Sequence, residues 1–235
     1  IGEVSYQDEG SIPLDSVIRY NTLFIPRGGE YQITLADGTK VWMNSDSKLI
    51  FPVRFPGNKR EVILEGEAYF EVAHDTTRPF YVKACGIDIR ATGTAFNVMA
   101  YGNEPECKVT LVEGGVNIEK NEFLISQLTP RIQFCIDLKT QEYKTCEVDL
   151  RVSIAWKDGI FFFEQESFRS IIAKLSRWYD ITIVCNTPDL YDYRFSGEIR
   201  KYENVLKVLD MLKLTNEITY SLQADRSIMI YKVND

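Results

Sequence analysis

Through most of the first 150 residues, apolar side chains recur at every second position. Residues 31–35 (Y-Q-I-T-L), 80–84 (F-Y-V-K-A), 86–90 (G-I-D-I-R), 96–101 (F-N-V-M-A-Y), 108–111 (K-V-T-L) and 132–136 (I-Q-F-C-I) all follow this pattern. A period of two is that of a strand with one buried face. Acidic-Gly pairs punctuate the runs: Asp37-Gly38, Glu65-Gly66 and Glu113-Gly114. Residues 63–72 and 111–119 each read as a strand, a tight turn, and a second strand carrying Ala68, Phe70 and Val72, or Val116 and Ile118. Gly supplies the positive φ that such hairpin turns demand. No helical period interrupts this stretch, and residues 1–25 read as a polar, irregular lead-in. The expectation is an all-β domain over residues 26–150, built of short antiparallel strands as a sandwich or a solenoid-like stack.

The period changes beyond Trp156. Phe168, Ile171, Ile172, Leu175 and Trp178 fall at helical spacing, with Ser167 as N-cap and Asp180 closing the segment. The same arrangement returns in Val205, Val208, Leu209 and Leu212, with Asn204 as cap. Residues 180–183 (D-I-T-I) then match residues 217–220 (E-I-T-Y), and residues 227–231 add a final strand. Strand, helix, strand is thus repeated, which predicts a small α+β domain of βαβ–βαβ type over residues 155–235. Each unit has an apolar helix stripe to bury, and two copies can share one sheet.

Composition narrows the function. The 235-residue chain is 45% hydrophobic and carries a net charge of −7, with Lys and Arg scattered among Asp and Glu. No concentrated basic face exists to grip a phosphate backbone, so nucleic acid is not an expected partner. No apolar run approaches the ~18 residues of a membrane span. The first ten residues hold neither a charged nor an apolar signal region. The missing initiator Met reads as a processed chain, which leaves the native compartment open.

Catalytic groups do not converge. Glu65, Glu67 and Glu71 cluster, but Glu67 and Glu71 alternate with Ala68, Phe70 and Val72 and belong on a solvated face. His74, the only histidine, sits in a turn (H-D-T-T-R-P) and reads as a surface residue. Gly28-Gly29 opens no helix, so it is not a phosphate loop, and Gly93-Thr94 reads as a bend between strands. Five cysteines without a C-x-x-C pair give no metal site, and no cofactor is expected. Should Thr140-Gln141 turn a hairpin, Cys135 and Cys146 face each other within disulfide reach; the alternative is two buried thiols.

Aromatics mark the second region. Trp178 and Tyr179 end its first helix, while Tyr191, Tyr193 and Phe195 alternate along the start of an expected strand. That alternation fits one face in a core, or an edge offered to a partner, since a small sheet has edges able to take an additional strand.

The motif order is informative. P-R-G-G-E-Y-Q-I-T-L-A-D-G-T-K-V-W-M-N at residues 26–44 resembles the opening of the FecR family of anti-sigma regulators. L-E-G-E-A-Y-F-E-V (64–72), R-P-F-Y-V (78–82), G-T-A-F-N-V (93–98) and T-L-V-E-G (110–114) follow in the family's order. A-W-K-D-G (155–159), L-S-R-W-Y-D (175–180) and F-S-G (195–197) resemble the C-terminal domain common in Bacteroidetes members. One departure is Leu128-Thr129-Pro130-Arg131-Ile132, where the family has a Leu-x-Pro-Gly-Gln type turn; without the Gly, a positive-φ residue is not expected there.

The resemblance implies a periplasmic sensing portion of a single-span inner-membrane anti-sigma factor. Its partner would be the signalling domain of an outer-membrane TonB-dependent transducer. An extracytoplasmic-function sigma factor would bind a cytoplasmic segment that this chain lacks, as it lacks the span. Trp178, Tyr179, Tyr191, Tyr193 and Phe195 are the expected contact residues. The rival reading is a β-sandwich carbohydrate-binding module whose exposed aromatics stack on sugar rings. The positions of Trp42, Trp156 and Trp178 separate the two.

Overall fold

The computed structural model describes residues 2–5, 18–201, 204–224 and 227–233. Two compact units divide between Ile154 and Ala155. The first is β structure, and the second mixes strands with helices.

The first unit opens with β1 (Gly2–Ser5), β2 (Tyr20–Ile25), β3 (Tyr31–Thr34), β4 (Lys40–Met43), β5 (Ser47–Pro52) and β6 (Arg60–Glu71). There follow β7 (Phe80–Ala84), β8 (Ile87–Ala91), β9 (Ala95–Ala100), β10 (Glu106–Glu113), β11 (Val116–Lys120), β12 (Phe123–Leu128), β13 (Ile132–Asp137) and β14 (Tyr143–Glu147). A four-residue helix, α1 (Arg151–Ile154), ends the unit. Its Ser153 hydroxyl meets that of Thr110 at 3.0 Å, and Gln133 donates to both.

The lead-in is not irregular where it is described. β1 pairs in parallel with β3, and β2 runs antiparallel to β5. Residues 6–17 of that lead-in lie outside the described residues.

β6 is the hub, and it corrects the hairpin expected at Glu65-Gly66. Residues 60–71 form one strand of 12 residues. Its first half pairs with β5 and β7, and its second half with β4 and β9. Gly66, at φ +98°, sits at the changeover. A Cβ built on it would stand 2.4 Å from the Ser47 hydroxyl and 2.6 Å from the Ser47 Cα. Glycine here lets one strand pass from one layer to the next against close-lying backbone. Gly114 likewise turns a corner: β10 pairs with β9 and β13, whereas β11 pairs with β8 and β12. Asp37-Gly38 is a true hairpin turn, joining the antiparallel β3 and β4.

Because β6 serves both layers, the strands form one curled sheet running β12-β11-β8-β7-β6-β9-β10-β13-β14, with β1 to β5 attached through β6. Its inner faces enclose a single core that includes Leu49, Val62, Leu64, Phe70, Phe80, Ile89, Phe96, Val98, Val109 and Phe134. Phe70 of one layer stacks on Phe96 at 5.2 Å and approaches Phe80 of the other layer at 6.2 Å. Arg131 takes φ +73°, so the 128–132 turn is left-handed although it lacks a Gly, contrary to expectation. The Ile132 amide closes that turn on the Thr129 carbonyl at 3.1 Å.

In the second unit, β15 (Ile160–Ser167), α2 (Phe168–Tyr179) and β16 (Ile183–Cys185) form the first repeat. β17 (Arg194–Arg200), α3 (Val205–Lys213), β18 (Ile218–Leu222) and β19 (Ile228–Lys232) complete it. Both caps are as the spacing predicts. The Ser167 hydroxyl accepts from the Ser170 amide, Asn204 accepts from the Leu206 amide, and Asp180 adopts the left-handed conformation at φ +48°. The strands do not share one sheet. β15 and β17 make a two-stranded antiparallel ribbon, while β16, β19 and β18 make a separate sheet in that order. The apolar stripes of the helices are buried through Phe168, Ile171, Leu175, Val208, Leu209 and Leu212.

Candidate functional site

The five aromatics of the second unit separate into two kinds. Trp178 is 6% exposed and Phe195 8%. Trp178 packs edge-on against Phe161 at 5.6 Å, and Phe195 tilts against Phe168 at 5.3 Å. These two rings hold α2 onto the ribbon, which is the core half of the sequence reading. Tyr179, Tyr191 and Tyr193 are half-buried.

Tyr191 and Tyr193 do not lie on a strand with Phe195. Residues Pro188–Asp192 form a 3-10 turn, Tyr193 is its C-cap, and β17 starts at Arg194. Pro188 favours this outcome, since its fixed φ suits the first position of a helical turn and its missing N–H costs nothing there. Each tyrosine then carries a cation. The Arg169 guanidinium lies 4.2 Å from the Tyr191 ring centre, and the Lys232 ammonium 5.4 Å from that of Tyr193. A hydrogen bond with Tyr193 also raises the Lys232 amine above its ordinary value.

Beside them runs β17, whose only strand partner among the described residues is β15. Phe195 and Ile199 turn inward, and Arg194, Ser196, Glu198 and Arg200 are exposed. Gln165 donates its backbone amide to the Ser196 hydroxyl at 2.9 Å, and Arg194 donates to the Gln165 carbonyl at 2.8 Å. Gln165 sits at φ +47°, within the irregularity that breaks the ribbon's register between Phe163 and Glu166. The ensemble is an open strand edge with alternating charges and two half-exposed, cation-capped tyrosines. Such an edge suits peptide backbone and complementary charge.

In the first unit the acidic cluster departs from expectation. Glu71 is exposed, but Glu67 is 8% exposed and accepts from Asn44 Nδ2 at 2.8 Å and Asn97 Nδ2 at 3.0 Å. Amide donors from the residue after β4 and from β9 hold that carboxylate, which is a structural arrangement. His74 is exposed, as the sequence suggests. No cluster of three or more potential metal ligands occurs among the described residues.

Cys135 and Cys146 do not face each other. The β13–β14 hairpin sets Cys135 opposite Lys144 and Gln133 opposite Cys146, so the two cysteines lie diagonally. All five cysteines are free; Cys135 is buried, whereas Cys146 is exposed. The register follows from the turn: Asp137 accepts from the Lys139 and Thr140 amides, and Gln141 takes φ +64°, which shifts the centre away from Thr140-Gln141.

The tryptophans speak against a sugar platform. Trp156 and Trp178 are buried, and Trp42 is half-buried with its ring edge-on to Tyr69 at 5.6 Å.

Each of the two units has a counterpart among known family models. Residues 21–117 match the family model described as FecR protein, and residues 160–230 match that described as FecR, C-terminal. The chain belongs to the FecR family of anti-sigma factors. Two crystal structures of a candidate anti-sigma factor from Parabacteroides distasonis ATCC 8503, at 1.65 and 2.50 Å resolution, are similar throughout. Both are 28% identical to this chain, with TM-scores of 0.85 and 0.84, and cover 91% and 92% of it and 100% of their own length. No curated protein matches the sequence.

Proposed function

We propose that this chain is the periplasmic sensing portion of a membrane-anchored anti-sigma factor. In this reading it receives the signalling domain of an outer-membrane TonB-dependent transducer and relays its state to an extracytoplasmic-function sigma factor. The observation that carries the reading is the pair of FecR matches in family order, one on each unit. The role is that of a binding protein, with no chemistry performed on the partner. Among the described residues no helix is long and apolar enough to cross a membrane, so the anchor of this reading lies in other sequence.

The contact surface we assign is the open edge of β17 with Tyr191 and Tyr193 beside it. Trp178 and Phe195 support it from beneath by fixing α2 and the ribbon. Tyr179 is the last residue of α2. A transducer strand added along Arg194–Arg200 would gain backbone hydrogen bonds, and its alternate side chains would meet Arg194, Glu198 and Arg200.

The test is a pull-down of signalling domains from the transducers of the same cell envelope on the full chain. Glu198→Pro, at an exposed position of the strand, removes one strand amide and should abolish capture while circular dichroism stays unchanged. Loss of capture on removing residues 155–235 should match it. Capture retained after that removal would move the contact to the first unit. Calorimetry against a glycan panel tests the rival module, and heat from a sugar would favour it.

A further inference from the structure

β2 is a sheet edge left open in both its backbone and its side chains. Its only strand partner among the described residues is β5, and all six of its positions pair there in unbroken register, from Tyr20–Pro52 to Ile25–Ser47. The Val53 amide donates to the Arg19 carbonyl at 2.9 Å. Hydrogen-bonded positions alternate along an antiparallel ladder, so Asn21, Leu23 and Ile25 also face β5. Pro52 agrees with this phase, since it stands opposite Tyr20 and has no N–H to donate there. Tyr20, Thr22 and Phe24 therefore aim their N–H and C=O groups away from β5.

The same three residues carry the exposed side chains of β2, and the Tyr20 and Phe24 rings are each 60% exposed. Behind Thr22 the row continues through Ile50 to Ile63, itself 40% exposed. Natural edges repel a further strand with charge, Pro or a bulge. In this unit β14 carries Lys144 and Glu147, and the register of β12 with β11 is broken by an irregularity. β2 has neither a charge nor a Pro, and its register is regular.

We propose that β2 pairs antiparallel with β2 of a second copy of this chain, about a two-fold axis at Thr22. Only even-numbered residues face outward, so two such edges meet only in registers that set even against even. The register centred on Thr22 engages all three outward residues of both copies. Each Tyr20 then stands opposite the Phe24 of the other copy, and Thr22 opposite Thr22. Directly opposed aromatic and Thr pairs are among the stabilising cross-strand pairs. The contact is isologous, one patch meeting itself. It brings no like charges together, because β2 has none, and Lys48 and Glu65, which continue the Phe24 row, are already paired at 2.7 Å within each copy. Area sets the strength. Two aromatic rings and a strand edge from each copy bury roughly 1,000 Å² in all, below the ~1,200–2,000 Å² of stable complexes. The dimer is accordingly weak, with dissociation at roughly tens of micromolar. The pairing uses no residue of β17.

The test is sedimentation velocity on the full chain from low to high micromolar concentration, which should show monomer passing to dimer. Thr22→Lys sets like charges against each other at the axis and should weaken the dimer about tenfold or more, with far-UV spectrum and melting temperature unchanged. Tyr20→Ser with Phe24→Ser keeps the strand amides and should weaken it likewise. Gln127→Lys, on β12, should leave it as it was. Under mild oxidation, Thr22→Cys should join two copies at position 22, as located by peptide mapping. A chain that stays monomeric throughout would overturn the proposal. So would a dimer that Thr22→Lys leaves intact or that Gln127→Lys dissolves. Slow amide exchange at Tyr20, Thr22 and Phe24 in the dilute monomer would overturn it as well, since the chain itself would then cover the edge.

Discussion

Arg60 and Asp37 form an ion pair at 2.7 Å inside the first unit, with side chains 1% and 4% exposed. Arg60 also donates to the carbonyls of Arg78 and Ala73 at 2.7 and 2.8 Å, and its guanidinium lies 5.5 Å from the Phe80 ring centre. Asp37 in turn accepts from the Thr39 amide and hydroxyl. The pair ties the β3–β4 turn to the start of β6 and to the 73–78 loop. Asp37→Ala leaves a buried guanidinium without its counter-charge, a loss of about 3–5 kcal/mol. Urea unfolding should show that loss, and Asp37→Ala with Arg60→Met together should cost less than the sum of the two alone. Additive costs would mean that the two side chains act independently.

Gly66 and Gly57 both have positive φ, yet they should respond differently to alanine. At Gly66 the added Cβ meets the Ser47 Cα at 2.6 Å, a backbone contact that cannot rotate away; at Gly57 nothing lies within 4 Å. Gly57→Ala should cost only the left-handed penalty, about 1–2 kcal/mol. Gly66→Ala adds displacement of β5 from β6 and should lower the melting temperature severely or prevent folding. Equal losses at the two sites would remove Gly66 from its role as the passage between layers.

The two glycines show how far the sequence could be read. Period-two alternation located the strands, and helical spacing with Ser167 and Asn204 located both helices, because those signals are local. The Glu65-Gly66 error arose because positive φ serves a turn and a mid-strand passage alike. The parity of Leu64, Ala68, Phe70 and Val72 runs unbroken through Gly66, which is the mark of one continuous strand. What no local pattern reveals is pairing. Parity alone puts Glu67 on a solvated face, but Asn44 and Asn97 reach it from 23 and 30 residues away along the chain. Tyr191 and Tyr193 were legible as aromatics of a boundary, but alternation alone cannot separate a strand from a 3-10 turn followed by one.

The β11–β12 turn offers a stabilising change. Asn121 and Glu122 sit between the paired Lys120 and Phe123, with φ of +51° and +67°. Asn suits this backbone, whereas Glu does not. Glu122→Gly completes the preferred Asn-Gly pair and should raise stability by about 0.5–1 kcal/mol, net of the added freedom of the unfolded chain. The measurement is the urea midpoint, which should rise at an unchanged slope. A fall would mean that the Glu122 side chain makes a compensating contact.

Alkaline pH should weaken the fold through Cys135. Burial is the main cause that pushes this thiol up, to about 11 from 9.0, and it outweighs the attraction of Lys108. In the unfolded chain the thiol ionises near its ordinary value, so between pH 9 and 11 the unfolded state binds fewer protons than the folded one. Stability is then fully present below the unfolded value and declines as pH rises through the folded value. Denaturation at graded pH should show this decline above pH 9, and Cys135→Ser should flatten it. Iodoacetamide should modify Cys146, which is exposed, well before Cys135 at neutral pH. A profile unchanged by the substitution would assign the alkaline loss to other groups.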